Sequence, residues 1–166
     1  MAVVNTKAAN ITTFDASTQT LVSPKILGGR LREAVGTLEA VSGDDIASVY
    51  RLCRVPSRAR ISRVLLSCDA ITTCAGDVGV YQTAANGGAV VDADFFASAQ
   101  SVATALKNSD VTHESGVFDI DDVEKPLWEA LGLTADPQRF YDIAVTLTAA
   151  AGSAGTVSAR VMWTED

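Results

Sequence analysis

One histidine in 166 residues is the sharpest shortage in this sequence. His113 sits beside Glu114 in the polar stretch SDVTHESG, with no second histidine and no Gly-x-Ser-x-Gly elbow elsewhere. A nucleophilic triad therefore has no support, and His113 is expected to be an exposed, inert loop residue. Cysteine is nearly as scarce. Cys53, Cys68 and Cys74 are odd in number, show no Cys-x-x-Cys spacing and lie far from the histidine, so a structural zinc site lacks a fourth ligand. Three free thiols are expected, Cys53 and Cys68 packing as small apolar groups and Cys74 in a loop.

Other absences exclude further classes. No window reaches the ~18 consecutive apolar residues of a membrane-spanning helix. The opening MAVVNTKAANITTFDAS has no apolar stretch of the secretory kind, so the expected setting is a cytoplasm or a particle assembled there. Gly28-Gly29 lacks the lysine and remaining glycines of a phosphate loop, and AGDVGVY lacks the Gly-x-Gly-x-x-Gly order. The acidic string Asp119, Asp121, Asp122, Glu124 has no glycine at the sixth position of a calcium loop and no glutamate at the twelfth. It reads instead as an acidic helix N-terminus. No metal, no cofactor and no enzymatic activity are expected.

What is present favours strands. Nineteen valines and 16 threonines accompany an apolar fraction of 48% and a charged fraction of 20%. From Arg32 onward, short β-branched runs alternate with turn signals: 32–41, 47–55, 60–68 and 77–84, the last closed by Asn86-Gly87-Gly88. The run AVVDADFFASA (89–99) fits a strand or the start of a short helix. Clear period-two alternation marks YDIAVTLTAA and TVSARVMWT, joined by Ala151-Gly152-Ser153-Ala154-Gly155, which predicts an antiparallel hairpin. One helix is expected at about 124–132, with Pro126 near its start, Gly132 as its cap, and Leu127, Trp128, Leu131 and Leu133 on the apolar side that plugs one end. Trp128 is thus expected to be largely buried. The fold class is all-β, an antiparallel sandwich or barrel of the jelly-roll kind, in one domain over residues 31–166. Residues 1–30 are polar, without periodicity, and are expected to form an extended N-terminal arm.

Charge is unevenly distributed along the chain. Residues 1–68 carry nine Lys/Arg against five Asp/Glu, whereas residues 69–166 carry four against fifteen, giving a formal net charge of −7. Either a basic and an acidic face result, or the fold intermixes the halves. Arg51, Arg54, Arg58, Arg60 and Arg63 fall within thirteen residues. An acidic pI near 4.6 and few interleaved aromatics weigh against nucleic acid, and arginine is favoured for carboxylate pairs across protein interfaces. Protein contact is the preferred reading of this cluster.

The string YRLCRVPSRARISRVLLSCDAITTCAGDVGVYQT, then GGAVVDADFFASA, KPLWEALGL, ADP and YDIAVTLTAA span roughly residues 50–150. In order and texture this stretch resembles the head cement or decoration proteins of short-tailed bacteriophages. The resemblance implies a jelly-roll sandwich that binds the outside of an assembled capsid and stabilises contacts between coat subunits. It implies the phage major capsid protein as partner, a homo-oligomer (dimer or trimer), and a place on the outer virion surface after assembly in the host bacterial cytoplasm. Arg51, Arg54, Arg58, Arg60 and Arg63 are then the capsid-contact candidates. A carbohydrate- or receptor-binding jelly-roll component of the virion and a small head-connector component are the alternatives. A cupin-type isomerase is not, because its metal set needs more than one histidine.

Overall fold

The computed structural model describes Thr12 and residues 30–165. The arm expected over residues 1–30 therefore lies, but for Thr12 and Arg30, outside the described residues. Eight strands follow in chain order: β1 (Arg30–Ala40), β2 (Val49–Pro56), β3 (Arg60–Cys68), β4 (Ala75–Gln82), β5 (Val90–Ser101), β6 (Leu106–Asp110), β7 (Phe140–Ala149) and β8 (Gly155–Glu165). They form two four-stranded sheets, ordered β1-β8-β3-β6 and β2-β7-β4-β5. First pairs with eighth, second with seventh, third with sixth and fourth with fifth. That nesting is what results when one long hairpin is rolled onto itself, and it is the jelly-roll topology.

Alternation places one side of each strand in a single core. In β7, Tyr141, Ile143, Val145 and Leu147 point inward, and in β8 Val157, Ala159, Val161 and Trp163 do the same. The sequence predicts that these two strands pair with each other, and here the structure differs. Strand β7 lies between β2 and β4, whereas β8 lies between β1 and β3 in the opposite sheet. Period two reports a half-buried strand but not which sheet holds it. The Ala151–Gly155 link is an arch between sheets, fixed by Gly43 N–H to Ala151 O (2.8 Å), Ala151 N–H to Asp44 O (2.9 Å) and Gly152 N–H to Thr72 O (2.8 Å).

The sandwich is closed along both sides. On one side the sheet edges β1 and β2 meet at Gly36, where a β-carbon would stand 1.7 Å from the Leu52 carbonyl oxygen. On the other, the chain leaving β6 stays on β3 through Val111 N–H to Val64 O (3.0 Å). It then crosses to β5 through Ser115 N–H to Phe96 O (2.9 Å) and Phe118 N–H to Phe95 O (3.2 Å). Phe95, Phe96 and Phe118 fill the space beneath, with ring centroids 5.0–5.4 Å apart. Both members of the Phe95-Phe96 pair are buried in a strand because repeated register shifts against β4 break the simple alternation of β5.

The helix is shorter than the predicted 124–132. α1 covers Leu127–Ala130 and follows a 3₁₀ turn at Ile120–Asp122, which Asp119 and Asp122 close with a reciprocal capping box. The acidic string thus does cap a helical N-terminus. α1 docks on the β2–β3 turn, Leu127 N–H donating to Ala59 O (2.8 Å) and Trp128 N–H to Ser57 O (3.0 Å). Leu127 is the fully buried plug, while Trp128 and Leu131 are half-buried and Leu133 is exposed, so the expectation of a buried Trp128 is corrected. With so short a helix, only one side chain can face the core squarely. Gly132 has the left-handed conformation expected of a cap (φ 75°).

Candidate interaction surface

Nesting decides the fate of the charge asymmetry. Because early strands pair with late ones, basic side chains from the first part of the chain meet acidic side chains from the second. Arg32 and Arg58 share Glu165 (2.8 and 2.6 Å), Arg51 and Arg54 share Asp142 (3.2 and 2.7 Å), and Arg63 reaches Asp110 (3.2 Å). The carboxylates of Glu165 and Asp142 are both nearly buried, each neutralised by two guanidinium groups. The halves are intermixed, not segregated into opposite faces.

The five arginines singled out in the sequence are accordingly spread over both sheets. Arg51 and Arg54 lie on β2, Arg58 in the β2–β3 turn, and Arg60 and Arg63 on β3. Arg51 acts as an internal clamp: besides Asp142 it donates to Gln82 O (2.7 Å) and Gly88 O (2.6 Å) and stacks over Tyr81, 5.1 Å from the ring centroid. That geometry ties β2 to the β4–β5 connection. Arg60 is buried. The linear cluster is not brought together as one free basic patch.

The remaining sequence candidates are embedded in local structure. His113 is exposed in its loop, its Nδ1 lying 2.8 Å from the Phe118 carbonyl oxygen and its ring stacked on Phe118. The neighbouring Glu114 accepts the Ser98 N–H (3.0 Å), so the two side chains serve the loop that seals the sandwich. All three cysteines are free and buried, Cys74 included, although it does stand in a loop just before β4. Burial pushes the Cys53 thiol up to about 11 and raises Cys68 and Cys74 as well. Among the described residues no three His, Cys, Asp or Glu side chains gather as a metal site, and no helix is long and apolar enough to cross a membrane.

A cleft of about 320 Å³ opens where the β2–β3 turn meets the segment entering β7, lined by Pro56, Ser57, Arg58, Asp136, Gln138, Arg139 and Phe140. Ser57 organises it. Its Oγ donates to Asp136 Oδ1 (2.5 Å) and accepts the Arg139 N–H (3.3 Å), while its own N–H donates to Arg139 O (2.7 Å). Asp136 also accepts the Gln138 N–H (2.8 Å), and the Ser57 hydroxyl with this amide holds its carboxyl below the usual range. Phe140 is 55% exposed at the rim. Sequence reasoning passed over this site because it contains neither a run of like charge nor a motif; the one available signal is an arginine next to an aromatic at a strand start.

Comparison with known proteins gives one informative likeness. A chain of a solved structure described as the cyanophage Pam1 capsid asymmetric unit is similar to this one, with a TM-score of 0.54 and 17% sequence identity over 100% of both chains. At that identity the likeness is one of fold. No protein-family model matches the sequence, and no curated protein does.

Proposed function

We propose that this chain is a non-enzymatic virion structural protein of a bacteriophage, binding the outside of an assembled capsid and stabilising contacts between coat subunits. The observation that carries this reading is the nested eight-stranded sandwich, similar along its whole length to a chain of a phage capsid asymmetric unit. Folds alone do not assign functions, so the site chemistry has to agree. It does: His113 and Glu114 are engaged in holding a loop, the thiols are buried, and most of the arginines bind carboxylates of their own chain. The strings that resemble decoration proteins fall on β2 through β5, α1 and β7, which form the body of the sandwich.

A stabiliser of this kind must ignore free coat protein and hold an assembled lattice. Sites fixed side by side on a shell raise the avidity of an oligomeric binder roughly 10²–10⁴-fold without any new contact. The partner is the major capsid protein and the binder a dimer or trimer. The test mixes purified protein with empty shells and, separately, with unassembled coat protein, and images decorated shells by electron cryomicroscopy. Saturable density on the outer surface at contacts between coat subunits is expected. Equal affinity for free coat protein, or density at a portal or tail only, overturns the reading.

A further inference from the structure

We infer that the cleft between the β2–β3 turn and the start of β7 is the docking pocket for a carboxylate-bearing segment of the coat protein, with Arg139 as its reader. The inference rests on the capsid-binding function proposed above and gives that function a contact point. Of the arginines of the linear cluster Arg58 lines this cleft, with its charge engaged by Glu165, whereas Arg51, Arg54 and Arg63 pair with carboxylates elsewhere in the chain.

Arg139 differs from those arginines in what its two parts do. Its backbone is fixed at both polar atoms by a single buried residue: the N–H donates to Ser57 Oγ and the carbonyl accepts the Ser57 N–H. Arg139 as a whole residue is half-buried and lines a concave site, and its guanidinium has no carboxylate or carbonyl partner among the described residues. The held backbone fixes where this unpaired cation is presented, so on binding the side chain alone remains to be ordered. The arginine fork matches a carboxylate in two parallel hydrogen bonds.

Three neighbours define the occupant. Asp136 is the obvious competitor for the guanidinium, but its Oδ1 is bound to the Ser57 hydroxyl and the Gln138 N–H, and it forms no ion pair with Arg139. Gln138 holds a left-handed backbone (φ 51°), an unfavourable conformation for a non-glycine residue and one that a recognition loop has reason to retain. Phe140, the next residue after Arg139, offers an exposed ring at the rim. The site therefore fits an acidic side chain with apolar carbon beside it, a glutamate or aspartate next to an aliphatic residue of the coat protein, and not a phosphate, which would leave the ring without a partner.

Two measurements test this. The first compares shell binding by wild type, Arg139→Glu, and Lys107→Glu, which makes the same charge change at an exposed residue of β6. Arg139→Glu is expected to melt with the wild type yet bind shells at least tenfold more weakly, whereas Lys107→Glu stays within twofold. Equal loss in both variants, or shell binding by Arg139→Glu within twofold of wild type, overturns the pocket and leaves the capsid function standing. The second titrates free protein with butyrate, a carboxylate with a short apolar tail, followed by NMR. Shifts centred on Ser57, Arg139 and Phe140 and lost in Arg139→Glu are expected; shifts centred on Arg54 or Arg63, or none, overturn the pocket. Butyrate binding in the cleft by a protein that ignores shells leaves a carboxylate pocket standing but removes the capsid reading and, with it, the coat protein as occupant.

Discussion

Replacing Gly36 by alanine sets two physical arguments against each other with opposite signs. Glycine inside a strand is worse than alanine by roughly 0.5–1 kcal/mol because of its freedom in the unfolded chain, so propensity alone predicts that Gly36→Ala stabilises. Geometry predicts the reverse. The new β-carbon would lie 1.7 Å from Leu52 O and 2.5 Å from Leu52 C, both backbone atoms that no rotamer change can clear. A carbon–oxygen contact tolerates about 3.3 Å, so the edges of β1 and β2 must part by on the order of 1.6 Å at their closest point. Overpacking of this kind costs typically ~1–3 kcal/mol, and a rigid backbone obstacle belongs at the upper end. For a chain of this size ~3 kcal/mol lowers the melting temperature by about 6–12 °C. Circular dichroism melts of wild type and Gly36→Ala decide the matter. Because the obstacle is the Leu52 carbonyl, Leu52→Ala in the same chain should give no rescue. A melting temperature equal to or above the wild type's refutes the closed-edge argument.

Three further predictions follow from the core and its titratable groups. Leu127→Ala should cost about 2–5 kcal/mol and the half-buried Trp128→Ala clearly less, as read by urea denaturation; the opposite order would mean that α1 is rotated about its axis. The Tyr50 hydroxyl donates to Asp44 Oδ2 (2.6 Å) and, with the Val41 N–H, holds that carboxyl below its usual range. Its stabilisation is present above the ordinary aspartate pKa and is lost as pH falls through the depressed one, so the melting difference between wild type and Tyr50→Phe should shrink from pH 6 to pH 2, and a constant gap contradicts it. With burial raising all three thiols, an aromatic disulfide reagent at pH 8 should find no fast-reacting cysteine in folded protein and three after denaturation; one rapid thiol before denaturation would show a cysteine to be exposed.

Much of the fold is legible in the sequence because most of its strands alternate or are bounded by turn chemistry. Seven runs read from the sequence fall on β1–β5, β7 and β8. β6 escapes because LKNSD is five residues long and largely exposed, with Asn108 in the left-handed region, so neither periodicity nor burial marks it. The partnership of β7 and β8 escapes for a different reason: a five-residue link rich in small residues serves a hairpin and an arch equally, and only the competition of β2, β4, β1 and β3 for edges decides. The arginines show the same gap between local and distant information. Sequence reveals that Arg51 to Arg63 are close to one another, but not that Asp142, Glu165 and Asp110 wait across the fold to bind them. Arg139 is conspicuous only once those pairings are known.

Nesting also sets a clock. Thr37 on β1 hydrogen-bonds Ser158 on β8, 121 residues later, and Ser57 grips Arg139 across 82 residues. At a synthesis rate of about 5–20 residues per second, the first strand waits roughly 6–24 s for its partner to leave the ribosome. Sandwiches dominated by distant pairings fold in milliseconds to seconds once complete, so translation and not folding sets the delay. Until then β1 has no sheet to join, and the turn bearing Ser57 has no Arg139 to hold. The cleft therefore comes into being only after Arg139 and Phe140 have emerged, and a growing chain that has not reached them has no formed pocket.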